Sequence, residues 1–199
     1  MAKLHFIYST MNAGKSAQLL QTEFNYRERG MNCLLLTAAL DDRYGTGKIT
    51  SRLGLSAEAQ IFKPEDCLTE ILVAAKNNGI SCVLVDESQF LTSKQVGELA
   101  DAVDQLNLPV MAYGLRTDFQ GNLFEGSAAL MALADDLREM RTICHCGKKA
   151  TMVLRRDGEG NPTLTGEQIQ IGGNDTYEAL CRYHWTQEHE NAGTKNPLM

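Results

Sequence analysis

The 199-residue chain has no long apolar run. The longest, Ala128 to Ala134, falls far short of the roughly 18 residues of a membrane span. Met1-Ala2-Lys3-Leu4-His5 leads straight into a strand-like stretch. It has neither the apolar core nor the cleavage site of a secretion signal, so a cytoplasmic location is expected. Positive charge is not in excess: 19 Lys+Arg face 25 Asp+Glu, a formal charge of −6. With a pI near 5.2 and no Lys/Arg run, the chain does not suit a protein that coats nucleic acid, which needs cations to displace phosphate counterions. A single anionic ligand at one local site remains open. Internal repeats and low-complexity tracts are also missing.

What is present is an ordinary globular composition, 43% hydrophobic and 22% charged, which excludes global disorder. The length suits about one to one and a half domains and a core that needs no disulfides. Six cysteines in a reducing compartment point to a metal site where they cluster, rather than to a disulfide framework. Cys33, Cys67 and Cys82 are scattered and read as small buried apolar residues. Cys144, Cys146 and Cys181 lie together in the last third.

Lys3 to Ser9 reads as a strand, and Ser9 to Ser16 as a turn of small residues. From Lys15 to about Arg29 apolar residues recur at helical spacing, and Gly30 ends that helix. Cys33–Thr37, Ser81–Val85 and Pro109–Gly114 read as strands covered on both faces. Helices are expected over Pro64–Asn78 and Thr92–Leu106, the second with Thr92 as N-cap. Asp41 to Gly54 is a polar loop long enough to suggest function. The alternation predicts an α/β fold, a parallel sheet wrapped by helices. Past Met140–Thr142 glycine, cysteine and polar strands take over. The expected organisation is therefore a domain over 1–141, a small domain over 142–187 and a loose tail over 188–199.

Ser9-Thr10-Met11-Asn12-Ala13-Gly14-Lys15-Ser16 sits between a strand and a helix, the place of a P-loop. Ser9 replaces the first glycine of that pattern, but the physical requirements survive. Gly14 lets backbone amides approach a phosphate, and the helix N-terminus favours negative charge. Lys15 can reach the β- and γ-phosphates and Ser16 can offer its hydroxyl to Mg²⁺. The third strand ends in Asp86-Glu87-Ser88-Gln89-Phe90. Asp86 suits support of Mg²⁺. Glu87, facing the other way along the strand, can take a proton from a hydroxyl or water. Cys144-x-Cys146 and Cys181-x-x-His184 supply three thiols and an imidazole, the ligands of a closed structural zinc site. The first spacing is one residue tighter than usual, and His145 competes as a ligand. On residue chemistry alone these motifs fit a phosphotransferase, an ATPase acting on a polymer, or a non-catalytic nucleotide-binding module.

Five separated segments resemble the cytosolic, tetrameric type of thymidine kinase. They are Ser9-x-Met11-Asn12-x-Gly14-Lys15-Ser16, Val85-Asp86-Glu87-x-Gln89-Phe90, Tyr113-Gly114-Leu115-Arg116-x-Asp118-Phe119, Ile171-Gly172-Gly173-Asn174-x-x-Tyr177 and Cys181-Arg182-x-His184. The resemblance runs from Lys3 to His184. It implies a P-loop domain followed by a small zinc-ribbon-like domain, and phosphoryl transfer from Mg-ATP to the 5′-hydroxyl of thymidine. It also implies a homotetramer with dTTP as feedback inhibitor. Carried over by position, Ser9–Ser16 and Asp86–Gln89 meet ATP and Glu87 is the base. Phe90, Leu115 and Phe119 surround the thymine, and Ile171, Gly172 and Tyr177 belong to a segment that closes over the nucleoside. Asp41 and Arg43 fall near the phosphates. Gln170 stands where relatives often carry an apolar residue at the floor of the base pocket.

Overall fold

The computed structural model describes residues 1–40, 47–169 and 176–193. In chain order the elements are β1 (Leu4–Ser9), α1 (Lys15–Arg27), β2 (Asn32–Ala38), β3 (Lys48–Thr50), β4 (Ser56–Glu58) and β5 (Gln60–Phe62). Then follow α2 (Thr69–Asn77), β6 (Ile80–Val85), a 3-10 turn at Ser88–Phe90, α3 (Ser93–Leu106), β7 (Val110–Leu115) and α4 (Glu125–Leu133). The last are β8 (Asp136–Glu139), β9 (Thr142–Ile143), β10 (Lys149–Ala150), β11 (Met152–Arg155), β12 (Tyr177–Leu180) and α5 (Arg182–Asn191).

Six strands form one sheet in the order β5-β2-β6-β7-β1-β8, and every pairing is parallel. The four inner strands β2, β6, β7 and β1 are largely apolar on both faces because both faces are covered. Phe6, Leu36, Val83, Val85 and Ala112 point to the side packed by Leu72, Val96, Leu99, Val103 and Leu130 of α2, α3 and α4. Their chain neighbours Ile7, Leu35, Cys82, Leu84 and Tyr113 point to the other side, where Leu19 and Leu20 of α1 and Ile49 of β3 meet them. The period-two alternation of a strand therefore feeds two separate apolar layers. Among the described residues no helix is long and apolar enough to cross a membrane.

A third apolar cluster joins Cys144, Ala150, Met152, Leu154, Leu180, Cys181 and Trp185. It rests on two short antiparallel pairs, β9 with β10 and β11 with β12. The Trp185 indole N–H ties it to the segment after β7, donating to the Phe119 carbonyl at 3.1 Å, and also donates to the Val153 carbonyl of β11 at 3.1 Å. Arg116 also donates to the Thr151 carbonyl at 2.9 Å.

Several details differ from the sequence reading. The helix expected from Pro64 begins at Thr69. Gln95 donates to the carbonyls of Lys63 and Asp66 at 2.7 and 3.0 Å, and Glu98 accepts the Leu68 amide at 2.7 Å, so the preceding turn is held open by α3. The Asp41–Gly54 stretch falls partly outside the described residues. From Lys48 it forms one strand of a hairpin with β4. Cys67 is exposed, not buried. The expected tail begins as helix: α5 runs to Asn191. His189 is buried there, its ring 4.0 Å from that of Trp185 and its Nδ1 2.9 Å from the Trp185 carbonyl.

The 3-10 turn after β6 lies against α4 with no room to spare. A Cβ on Gly126 would sit 2.6 Å from the carbonyl oxygens of Ser88 and Leu91. We expect Gly126→Ala to destabilise the fold by about 1–3 kcal/mol through overpacking. Gly97→Ala on α3, where a Cβ meets nothing within 4 Å, should instead stabilise by about 0.5–1 kcal/mol through helix propensity. Calorimetric melting of both variants tests the opposite signs.

Candidate functional site

A cavity of ≈ 450 Å³ opens at the carboxyl ends of β1, β6 and β7, where a parallel α/β sheet presents its loops. Its floor is the turn between β1 and α1. Asn12 at φ 64° and Gly14 at φ 82° take left-handed conformations, and Gly14 is the N-cap of α1. Met11 through Ser16 line the cavity. The first turn of α1 carries no acidic residue, so its amide groups and positive dipole end present an anion-binding surface. Lys15 is folded back onto this turn, its Nζ donating to the Ser9 hydroxyl and the Thr10 carbonyl, both at 3.0 Å. Ser9 and Thr10 lie buried beneath the lining and hold the lysine in place.

The second wall follows β6. Asp86 is buried, and its amide donates to the Leu36 carbonyl at 2.8 Å. Burial and the neighbouring Glu87 charge push its carboxyl up to about 7, against the pull of Ser16 and Lys15. Glu87 does not continue the strand, as the sequence suggested. It adopts φ 50°, ψ 39°, a left-handed conformation that is uncommon for a residue with a side chain. Glu87 lines the cavity from this turn. Gln89 holds it there: its Nε2 donates to Glu87 Oε2 at 2.6 Å while its Oε1 accepts the Leu115 amide at 2.9 Å. The Leu115 carbonyl in turn accepts from Ser127 at 2.6 Å. Ser88 is wholly buried, and among the described residues its hydroxyl has no hydrogen-bond partner.

Phe90, Leu115, Phe124 and Tyr177 form the apolar side of the cavity. Phe90 and Phe124 meet edge to face, ring centres 6.0 Å apart. Phe119 does not line it. That ring is buried under the Arg155 guanidinium, 3.8 Å from its centre, whereas Phe124 lines the cavity. Asp41, Arg43, Gln170, Ile171 and Gly172 lie outside the described residues. Also in the lining, but not picked out from the sequence, are Thr50, Ser51, Arg52 and Leu53 at the β3–β4 turn, and Gln168 and Ile169. The length of the polar loop hinted at the first group. No local pattern marks the second, nor Phe124, which sequence alone shows only as an aromatic before a helix.

Away from the cavity, one ligand atom each of Cys144, Cys146, Cys181 and His184 lies within 4.8 Å of the others. Cys146 and Cys181 sulfurs are 3.9 Å apart, and His184 Nδ1 is 3.4 Å from the sulfurs of both Cys144 and Cys181. A tetrahedral ion with the usual zinc–sulfur and zinc–nitrogen distances requires sulfur–sulfur edges of about 3.8 Å and sulfur–nitrogen edges of about 3.6 Å, so the four groups fit such an ion. Although burial opposes it, hydrogen bonds from the Cys146 and Cys181 amides and from His184 hold the Cys144 thiol down at about 6, favouring the thiolate a metal needs. The tight Cys144-x-Cys146 spacing works because the chain folds back at once, with the Cys144 amide donating to the Lys148 carbonyl at 2.8 Å and the Gly147 amide to the Cys144 carbonyl at 2.8 Å. His145 stays outside the set, its Nδ1 3.5 Å from Glu178.

The family description "Thymidine kinase" matches residues 2–185. A protein of Shewanella oneidensis named thymidine kinase is 57% identical over 188 residues, covering 94% of this chain and 98% of its own. Another of that name from Ruegeria pomeroyi is 58% identical over 196 residues, covering 98% and 99%. One from Rhodopirellula baltica is 54% identical over 201 residues, covering 100% and 95%. With a match that spans both the sheet domain and the cysteine cluster, the chain belongs to the thymidine kinase family.

Proposed function

We infer that this chain transfers the γ-phosphoryl group of ATP to the 5′-hydroxyl of thymidine, giving dTMP and ADP. The observation that carries the mechanism is that one cavity holds both an anion-binding helix N-terminus and, on the facing wall, a carboxylate beside an apolar aromatic surface. Phosphoryl transfer asks for little else from a protein: positioning of two substrates and compensation of charge.

In this reading the Ser9–Ser16 turn holds the triphosphate through its amides. Lys15 exchanges its contacts with Ser9 and Thr10 for phosphate oxygens. Mg²⁺ arriving with ATP would offset charge on the β- and γ-phosphates. Ser16 and Asp86 would hold it, and a cation there would favour ionised Asp86 over its neutral form. Glu87 takes the proton of the 5′-hydroxyl as the oxygen attacks phosphorus. Gln89 fixes the direction of that carboxylate. Phe90, Leu115 and Tyr177 contact the nucleoside, with Phe124 in the role the resemblance gave to Phe119. Ile171 and Gly172 keep the same proposed role on the strength of the resemblance.

Cys144, Cys146, Cys181 and His184 would hold a structural zinc. Four protein ligands leave no open position for chemistry, so its contribution is to cross-link β9, β12 and α5. Family membership also supports a division near residue 141 between the ATP-binding and zinc-binding parts, a homotetramer, and feedback inhibition by dTTP.

Thymidine should trigger ADP release from Mg-ATP, with dTMP as the product, while single-stranded DNA should not. Hydrolysis stimulated by DNA and unaffected by thymidine would overturn the assignment. Glu87→Gln should lower kcat about 10²–10⁴-fold, the usual range for a general base, with ATP affinity little changed by equilibrium titration. Metal analysis of purified protein should find about one zinc per chain. Cys146→Ser should lose it and melt earlier, whereas Cys67→Ser, exposed and outside the cluster, should do neither.

A further inference from the structure

Arg155 ends β11, directly opposite Tyr177 of β12, and is only 4% exposed. Among the described residues no carboxylate lies within ion-pair distance of it. Burying a charge without a counter-ion is unfavourable unless polar groups compensate. Here the compensation is unusual in form. The guanidinium lies over the Phe119 ring, Nη1 donates to the Glu167 carbonyl at 2.9 Å, and Nη2 donates to the Thr165 carbonyl at 3.1 Å. Its own carbonyl accepts the Thr163 amide at 2.7 Å.

The contacts fall on residues 163, 165 and 167, in a stretch that bends at Thr165, Gly166 and Gln168. The even-numbered residues are held from the other side. Gln120 donates to the Leu164 carbonyl at 3.1 Å, and Gln168 donates to Asp118 at 2.9 Å. This stretch carries no regular strand of its own, yet its end, Gln168 and Ile169, lines the cavity beside Tyr177. Gly166 completes the fit. It has φ +124°, and a Cβ there would lie 2.6 Å from Arg155 Nη2.

An apolar side chain of similar volume would cover Phe119 without the desolvation penalty. The guanidinium fork holds the Thr165 and Glu167 carbonyls at once through separate nitrogens. We propose that Arg155 is a positioning residue for the nucleoside: its guanidinium sets the Thr163–Ile169 stretch as one wall of the cavity. The proposal rests on reading that cavity as the thymidine site. Arg155 touches neither the Ser9–Ser16 turn nor Glu87, so its effect belongs to nucleoside binding rather than to ATP or the chemical step.

The test compares Arg155→Met, Arg155→Lys, Gly166→Ala and Gln120→Ala with the unaltered protein. Thymidine and ATP are varied separately, and cleavage after Glu167 by a Glu-specific protease is followed on folded protein. Arg155→Met should raise the thymidine KM about tenfold or more, leave the ATP KM within about twofold, and speed that cleavage. Gly166→Ala should do the same. Arg155→Lys, whose ammonium lacks the fork, should recover part of the loss, and Gln120→Ala should show the smallest change in the same direction. If Arg155→Met fails to fold, the Gly166 and Gln120 variants carry the test. Unchanged thymidine KM and cleavage in these variants would overturn the proposal. So would a joint change of both KM values and kcat that tracks melting temperature, since that marks a purely structural residue. If the unaltered protein does not phosphorylate thymidine, the functional reading fails instead, and the cleavage rates still decide whether Arg155 sets this stretch.

Discussion

Everything in the candidate site depends on parallel strand pairing. Parallel strands end on the same rim, so loops far apart in sequence meet there. Here β7 pairs with β1 on one side and β6 on the other. That places the turn after β1, the acidic pair after β6 and Leu115 at the end of β7 around one opening. The apolar layers on the two faces keep the register, because a slip by one residue would send every buried side chain to the wrong layer.

On that frame a few polar contacts set the finer geometry. Gln89 joins Glu87 to Leu115, so the acid proposed as base and the backbone beside the aromatic wall move as one. Glu87 is held in an uncommon backbone conformation at the edge of a turn that α4 packs from behind. Such strain persists only where the surroundings over-determine it, and Gly126, pressed against the Ser88 and Leu91 carbonyls, is part of those surroundings.

The cysteine-bearing part is joined to the sheet domain through Trp185, Arg116 and the Phe119–Arg155 stack. Its apolar cluster is small and draws two of its members, Cys144 and Cys181, from the proposed ligand set. A metal cross-link suits a segment with so little apolar surface to bury. The same junction bears on the cavity, since β12 delivers Tyr177 and the residues facing Arg155 deliver Gln168 and Ile169.

Much of this was legible in the residues alone. Apolar strands alternating with helices announced a parallel sheet, and Gly14-Lys15-Ser16 and Asp86-Glu87 stood out because they follow apolar strands in the chain order of a P-loop site. The pairing of Cys144 and Cys146 with Cys181 and His184 was also legible, since metal ligands are a short list. Short edge strands such as β5 and β8 were not, for their stability comes from a neighbouring strand and not from their own composition. Nor could sequence distinguish Phe119 from Phe124: both are aromatic residues near β7, and only packing sends one under Arg155 and the other into the cavity. The left-handed turn of Glu87, the start of α2 at Thr69 and the alternating grip on residues 163–168 are likewise decisions of the tertiary structure. Each is set by hydrogen bonds or contacts between residues distant in the chain, whereas local pattern reports only what neighbouring residues prefer.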